Sequence, residues 1–246
     1  MIGLYDIHCH ILPGLDDGAR TTEESIDLLK MEYRQGVRHI IFTPHFRQGM
    51  FEATKEDIER AFLNAKKNAE KIADDLNVYL GCEFYVDSHI IENLENRKKF
   101  FLANSNYALI EFRIDVSEDE VRNVVCNMLS YNWIPVLAHV ERYNRIRKNM
   151  SFLIDLSELG AKISVNAGSI MGKNGIIVKK FCNKLIKNRL LDLIGSDAHG
   201  QKTRKPNLDL CASYLEKKYG VFYTKKLMIK NPQIITEGRL NSNEEK

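Results

Sequence analysis

Along the chain, short runs rich in β-branched and aromatic residues alternate with longer stretches in which apolar positions recur every three or four residues. The short runs fit strands and the longer ones amphipathic helices. Residues 4–8 read as the first strand. A capping signal at Thr22, with Ser25 and nearby acids, opens a helix to about Gln35, where Gly36 supplies the stop. Pro44 ends the next strand, 38–43. Residues 55–76 carry Ile58, Phe62, Ala65, Ala69 and Ile72 at helical spacing, and strand-like runs follow at 78–83, 107–112, 133–139, 162–166 and 191–196. Helices are expected between them, notably at 118–130 and 175–188, and another after the last strand.

This amounts to about seven β-α units without a linker, repeat or low-complexity segment, an alternation that builds a parallel sheet. The expected fold class is α/β: a single-domain, distorted TIM-like (β/α)7 barrel over residues 1–246, with 241–246 as a flexible tail. A doubly wound open sheet is the alternative, because strand order is not legible in one sequence.

Composition narrows the function classes. With 44% hydrophobic and 28% charged residues in 246, the chain can bury a sizeable core without staples. Its 36 basic and 33 acidic side chains leave a net charge of +3, so no broad nucleic-acid or membrane footprint is expected. No apolar run approaches the ~20 residues that span a bilayer, and no leader-like segment opens the chain. The five cysteines, Cys9, Cys82, Cys126, Cys182 and Cys211, are odd in number, widely spaced and without a CxxC pair. They read as free thiols in a reducing cytoplasm.

The candidate chemistry lies in where polar residues fall relative to the strands. His8 and His10 end the first strand, His45 follows the second after Thr43-Pro44, Glu83 ends the third, Glu111 the fourth and His139 the fifth. Asp197 and His199 end the last, in Ser196-Asp197-Ala198-His199. In a parallel barrel the strand C-termini share one face, so residues scattered along the chain meet in one pocket. Singly, each has a plainer reading: Glu83 or Glu111 as a helix cap or rim charge, His139 as a satisfied core imidazole. Jointly they read as a metal site. Imidazole and carboxylate without thiolate suit zinc, manganese, iron or nickel. The ligands are too many for one ion and Glu83 can bridge, so two or three divalent ions and hydrolysis by a bridging hydroxide are expected.

Asp6-Ile7-His8-Cys9-His10, Asp16-Asp17-Gly18, Thr43-Pro44-His45, Glu83, Glu111 and Ser196-Asp197-Ala198-His199 together resemble the polymerase-and-histidinol-phosphatase superfamily over essentially the whole chain. The runs from His8 to Gly18, Arg47 to Phe51, Tyr107 to Phe112 and Ala138 to Tyr143 are similar to the manganese-dependent protein tyrosine phosphatases of bacterial capsule and exopolysaccharide gene clusters. The resemblance implies one metal held by His8, His10, Glu83 and Asp197, a second sharing Glu83 with Glu111 and His139, and a third held by Asp17, His45 and His199. It also places Arg142 and Arg204 on the substrate phosphate, where a guanidinium fork matches phosphate geometry. Arg47 and Arg145 are weaker rim candidates. Many relatives carry a second histidine after Thr-Pro-His; this chain has Phe46.

The activity so implied is hydrolysis of phosphotyrosine, with manganese as the expected metal and the C-terminal tail of a bacterial tyrosine kinase as the expected partner. Phenoxide leaves without a strong general acid because the tyrosine pKa is ~10. A cysteine-nucleophile phosphatase needs an arginine six residues after the thiolate; here Leu15, Ser88, Asn132, Asn188 and Lys217 stand there. A carboxylated-lysine amidohydrolase would want lysine where Glu111 stands. A metal-dependent DNase fits the first motif but finds no basic stripe. Histidinol phosphate or another small phosphomonoester is the alternative substrate, and a scaffold that binds a kinase without turnover is the non-enzymatic one.

Overall fold

In the computed structural model, which describes residues 1–238, strands and helices alternate as the periodicity predicts. The proposed tail at 241–246 lies outside the described residues. In chain order the elements are β1 (Leu4–Cys9), α1 (Thr22–Arg34), β2 (Val37–Phe42), β3 (His45–Phe46), α2 (Lys55–Ile72), β4 (Asn77–Leu80), β5 (Glu83–Tyr85) and α3 (Ile90–Asn96). They continue with β6 (Tyr107–Glu111), α4 (Glu118–Ser130), β7 (Ile134–Leu137), α5 (Met150–Leu159), β8 (Lys162–Asn166), α6 (Ala167–Met171) and α7 (Ile176–Lys187). The last are β9 (Leu193–Gly195), α8 (Leu208–Tyr219), α9 (Val221–Lys225) and α10 (Asn231–Glu237).

Several of the longer helices begin where a side chain caps them. Thr21 Oγ1, Thr54 Oγ1 and Ser117 Oγ accept from the backbone N–H of Glu24, Asp57 and Glu120, with acids in each first turn. The first cap is therefore Thr21, one residue before the expected Thr22. The helix expected to reach residue 76 stops at Ile72, ahead of Asp74-Asp75, whose charges oppose the negative end of a helix.

Every strand pairing is parallel, in sheets ordered β1-β2-β4 and β3-β5-β6-β7-β8-β9. Two strands change sheet part-way: β2 continues as β3 past Thr43-Pro44, and the single strand expected at 78–83 is β4 and β5, parted at Gly81-Cys82. Hydrogen bonds from Gly81 N to Phe42 O (2.8 Å) and from Glu83 N to Pro44 O (3.0 Å) carry the ladder across the break. The ring closes between β1 and the end of β9, where Asp197 N donates to His8 O and His10 N to Ala198 O, each at 2.8 Å. With each broken strand counted once, the nine segments occupy seven positions among the described residues. The barrel forms, and the doubly wound open sheet is excluded by this closure.

Alternate strand residues separate two cores. Ile7, Ile41, Leu109, Val136 and Leu193 cluster inside the ring with Ile235 of α10, while Ile40, Ile110, Leu137 and Ile163 pack in the layer that includes the surrounding helices. The interior below the strand C-termini is thus filled with aliphatic side chains. In β1, Ile7 belongs to the inner cluster yet Cys9, at the same parity, belongs to the outer one. The register of β1 on β2 shifts between Asp6 and Cys9. That irregularity turns His8 and His10 inward while burying Cys9, whose Sγ lies 3.6 Å from Ile41 O.

Candidate metal centre

At the strand C-termini, donors from five other strand positions gather around Glu83, the fully buried first residue of β5. Its Oε2 lies 3.1 Å from His8 Nε2, 3.3 Å from His10 Nε2 and 3.0 Å from His45 Nδ1. Its Oε1 lies 3.0 Å from His139 Nε2, which is also 3.3 Å from Glu111 Oε1. Asp197 Oδ1 approaches His8 and His10 at 3.8 and 3.6 Å. On the open side, Asp17 Oδ1 stands 3.3 Å from His199 Nε2 and 3.6 Å from His45 Nε2. Four groups of donor atoms fall within 4.8 Å of one another: His10, Asp17, His45 and His199; His8, His10 and Asp197; His8, Glu83 and His139; His45, Glu83 and Glu111.

The donor set fits divalent cations. Glu83 Oε2 and His199 Nε2 are buried with no hydrogen-bond partner among the described residues, although imidazole nitrogens crowd the carboxylate. Leaving such groups buried and unsatisfied costs about 1–3 kcal/mol each. A cation satisfies a carboxylate and several imidazole lone pairs at once, and the absence of thiolate points to a borderline or hard metal. The groups overlap: His8, His10, His45 and Glu83 each belong to two of them. His45 Nδ1 faces Glu83 and Glu111 while its Nε2 faces Asp17.

Backbone strain and close packing set these positions. His139 and Asp197 have left-handed φ of 32° and 54°, a conformation that costs a non-glycine residue roughly 1–3 kcal/mol. Gly18 permits the loop after β1 to approach, since a Cβ there would lie 2.1 Å from His10 O. Gly195 does the same for β9, where a Cβ would meet that of His8 at 2.5 Å. Behind the ligands, Asp6 Oδ1 accepts from His8 N (3.2 Å) and Ser196 N (2.9 Å), and its Oδ2 from Ser196 Oγ (2.5 Å), tying β1 to the Asp197 segment. Glu32 of α1 is buried nearby, and burial together with the Asp6 charge pushes its carboxyl well above the ordinary range.

The cluster distributes charge unevenly. Burial disfavours a charged His10, but Asp16 at 2.8 Å and then Glu83 raise it to about 10. Burial and Arg142 likewise oppose charge on His139, yet its bonds to Glu111 and Glu83 raise it to about 9. Burial, then the neighbouring His10 charge, lower His199 to about 2, so its imidazole is neutral. Asp197 resists burial and stays ionised well below the carboxylate range, held by His8, Arg142 and Arg204.

Arg142 and Arg204 stand at the edge, their Nη2 atoms 2.5 and 2.8 Å from Asp197 Oδ2 and Oδ1. Both line a cleft of about 270 Å³ with Asp17, His45, Glu83 and Glu111, and Arg47, Met50 and Phe51 complete its wall. Phe51 stacks on the His45 ring at 5.3 Å, and the Arg47 guanidinium lies 4.0 Å over Tyr85. Arg47 is thus at the rim as expected, whereas exposed Arg145 is not among the lining residues. Phe46 is buried beneath the Arg97 guanidinium and against Phe84.

The family model for capsular polysaccharide synthesis, CpsB/CapC, matches residues 4–237. The chain belongs to the CpsB/CapC family. It is 34% identical over 242 residues to the tyrosine-protein phosphatase CpsB of Streptococcus pneumoniae, covering 96% of this chain and 100% of that one. A crystal structure from work on YwqE of Bacillus subtilis and CpsB of S. pneumoniae, described as metal-dependent tyrosine phosphatases, superposes with a TM-score of 0.88 at 32% identity over 96% of each chain. The histidinol phosphate phosphatase of Lactococcus lactis, with zinc, L-histidinol and phosphate, superposes at 0.57 with 14% identity over 89% of this chain and 95% of that one, a likeness of fold alone.

Two polar residues of this CpsB/CapC chain escaped the sequence reading. Asp16 is a buried hub whose Oδ2 meets His10 Nδ1 at 2.8 Å and accepts from His45 N at 2.9 Å, while its Oδ1 caps Gly18 N. Beside Asp17 in a Leu-Asp-Asp-Gly turn, it looked like turn chemistry. Asn166 ends β8 and donates to Asp197 Oδ2 at 2.6 Å. Its place at a strand C-terminus was the available signal.

Proposed function

We propose that this chain is a metal-dependent protein tyrosine phosphatase that uses the cleft at the strand C-termini. The observation that carries the reading is the joint presence, in one cleft, of a converging imidazole–carboxylate cluster and two guanidiniums at its edge. His8, His10, Glu83 and Asp197 would hold one ion, Glu83, Glu111 and His139 a second, and Asp17, His45 and His199 a third, with manganese the metal proposed. Bound there, divalent ions supply the Lewis acidity that activates water and offsets phosphoryl charge.

The chain's own residues do the rest. Arg142 stays charged because Asp197 and then Glu141 outweigh its burial, and with Arg204 it takes the phosphoryl oxygens. The Met50–Phe51 corner offers an apolar wall for a phenyl ring beside the metal floor. The phenolic leaving group needs little protonation, since its pKa is ~10. The capsule-synthesis family supports a tyrosine-phosphorylated partner in that process, and the C-terminal tail of a bacterial tyrosine kinase is the partner we favour. No helix among the described residues is long and apolar enough to cross a membrane. We place the enzyme in the cytoplasm, where its free thiols, four of them buried, stay reduced.

The test is to strip the metals and assay phosphotyrosine peptide, phosphoserine peptide and histidinol phosphate with and without manganese. Activity restored by manganese on phosphotyrosine alone is the expected outcome. Preference for histidinol phosphate would move the enzyme to a small-molecule substrate, and silence on all three would overturn the phosphatase reading.

A further inference from the structure

Arg142 and Arg204 also line a second concavity, of about 300 Å³, that adjoins the metal cleft. Three lysines, Lys173, Lys202 and Lys205, stand around it, and its single carboxylate is Asp197. Asp197 is already taken by Arg142, Arg204 and Asn166. The three lysines are exposed and form no ion pair among the described residues. In a chain whose whole net charge is +3, three unpaired cations at one edge are a concentrated excess.

Ordered backbone carries these lysines. The turn bearing Lys202 is closed by His199 N donating to Arg204 O at 2.9 Å and pinned to α1 by Gln201 Nε2 on Asp27 Oδ2 at 3.0 Å. Arg204 holds a left-handed φ of 50° at its end. Across the concavity, Lys173 N donates to Gly168 O at 2.9 Å, and the lysine stem lies so close to Gly168 that a Cβ there would meet Lys173 Cδ at 3.2 Å. Asn207, which also lines the concavity, has a buried Oδ1 with no hydrogen-bond partner among the described residues, an acceptor that a peptide N–H can satisfy. Cations around an unpaired amide acceptor suit a polypeptide carrying negative charge.

We propose that this concavity is a substrate subsite for an anionic side chain, a carboxylate or a second phosphoryl group, close in sequence to the phosphotyrosine. The inference rests on the phosphatase reading and extends it to sequence preference. Arg142 and Arg204 form the shared wall, with the phosphotyrosine on the metal side and the neighbouring anion among Lys173, Lys202 and Lys205.

Steady-state kinetics of the manganese-loaded full chain test this with four substrates: p-nitrophenyl phosphate and phosphotyrosine peptides flanked by alanine, by glutamate or by phosphoserine. The variant is Lys173→Gln/Lys202→Gln/Lys205→Gln, whose exposed sites leave folding unaffected. Wild type should favour the anionic peptides about tenfold in kcat/KM, mostly through KM, the scale of three exposed ion pairs acting together. That preference should fall at roughly 0.5 M salt and vanish in the triple variant, with p-nitrophenyl phosphate and the alanine peptide unchanged. Preference for only one of the anionic peptides would assign the subsite to carboxylate or to phosphate. Equal turnover of alanine and anionic peptides by wild type overturns the subsite and leaves the phosphatase standing. A triple variant that loses p-nitrophenyl phosphate as well would assign the lysines to the phosphate site itself and also overturn the subsite. Wild type that turns over p-nitrophenyl phosphate but no phosphotyrosine peptide overturns both readings.

Discussion

On the floor of the cleft, His8, His10, Glu83 and His139 are almost wholly buried and their bearings are set by a bulge, a left-handed residue and glycine contacts. At the rim, Arg204 and Asp17 are 39% and 51% exposed, and the side chains of Met50 and Lys202 face solvent. The floor is organised before any ligand arrives, so losing one donor leaves others buried and unpaired. The two rim guanidiniums, Arg142 and Arg204, are joined to it mainly through Asp197, so they can change with less damage to what lies below. The division suits metal chemistry on a fixed floor beneath an adaptable substrate surface.

The largest effect should come from the hub. Glu83→Gln is expected to lose bound metal, measured by elemental analysis, and phosphotyrosine turnover together; normal metal content with normal activity would break the picture of a single floor. Arg142→Ala and Arg204→Ala should each keep their metal but lower turnover by about 10²–10³, as for removal of one donor to developing charge. If either loses metal as well, the rim is part of the floor. Asp16→Asn should weaken metal affinity by about 10–100-fold while all proposed ligands remain, because it orients His10 and His45 from behind. A metal titration that matches wild type would remove Asp16 from the supporting set.

The smallest effect concerns pH. In the metal-free protein His10 and His139 titrate at about 10 and 9, so both carry a proton at neutral pH. Metal uptake must displace those protons, and apparent affinity should rise with pH until the imidazoles are free. Calorimetry in buffers of different ionisation heat reads the proton release, and none at pH 7 would contradict the assignment. Folding stability of the metal-free protein has its own signs. The contribution of raised His10 and His139 is full below about 6.5 and lost as pH climbs through 9 to 10. Asp197, whose carboxyl is lowered, contributes above the usual carboxylate range and loses that contribution on acidification.

Much of the site was legible because residue type and strand position coincide. His8, His10, His45, Glu83, Glu111, His139, Asp197 and His199 each follow or end an apolar run, and parallel topology brings such ends together. Asp17 needed a family resemblance, since one carboxylate in a Gly-containing turn is ambiguous. Asp16, its neighbour, was passed over for the same reason, although it is the more buried of the two. His8 and His10 have the same parity and so face one way, but alternation carried on from Ile7 would have sent them outward. Only the bulge between Asp6 and Cys9 reconciles the two.

The sequence by itself determined the alternation of elements, the ligand chemistry without thiolate and the absence of an arginine six residues after any cysteine. These are properties of local periodicity and residue type, which need no neighbour in space. The tertiary structure decided the split of 78–83 at Gly81, the β1–β9 closure, the strained φ of His139 and Asp197, and the lysine-lined concavity beyond Arg142. Each of those depends on contacts between residues far apart in the chain, where steric fit and charge pairing set the outcome.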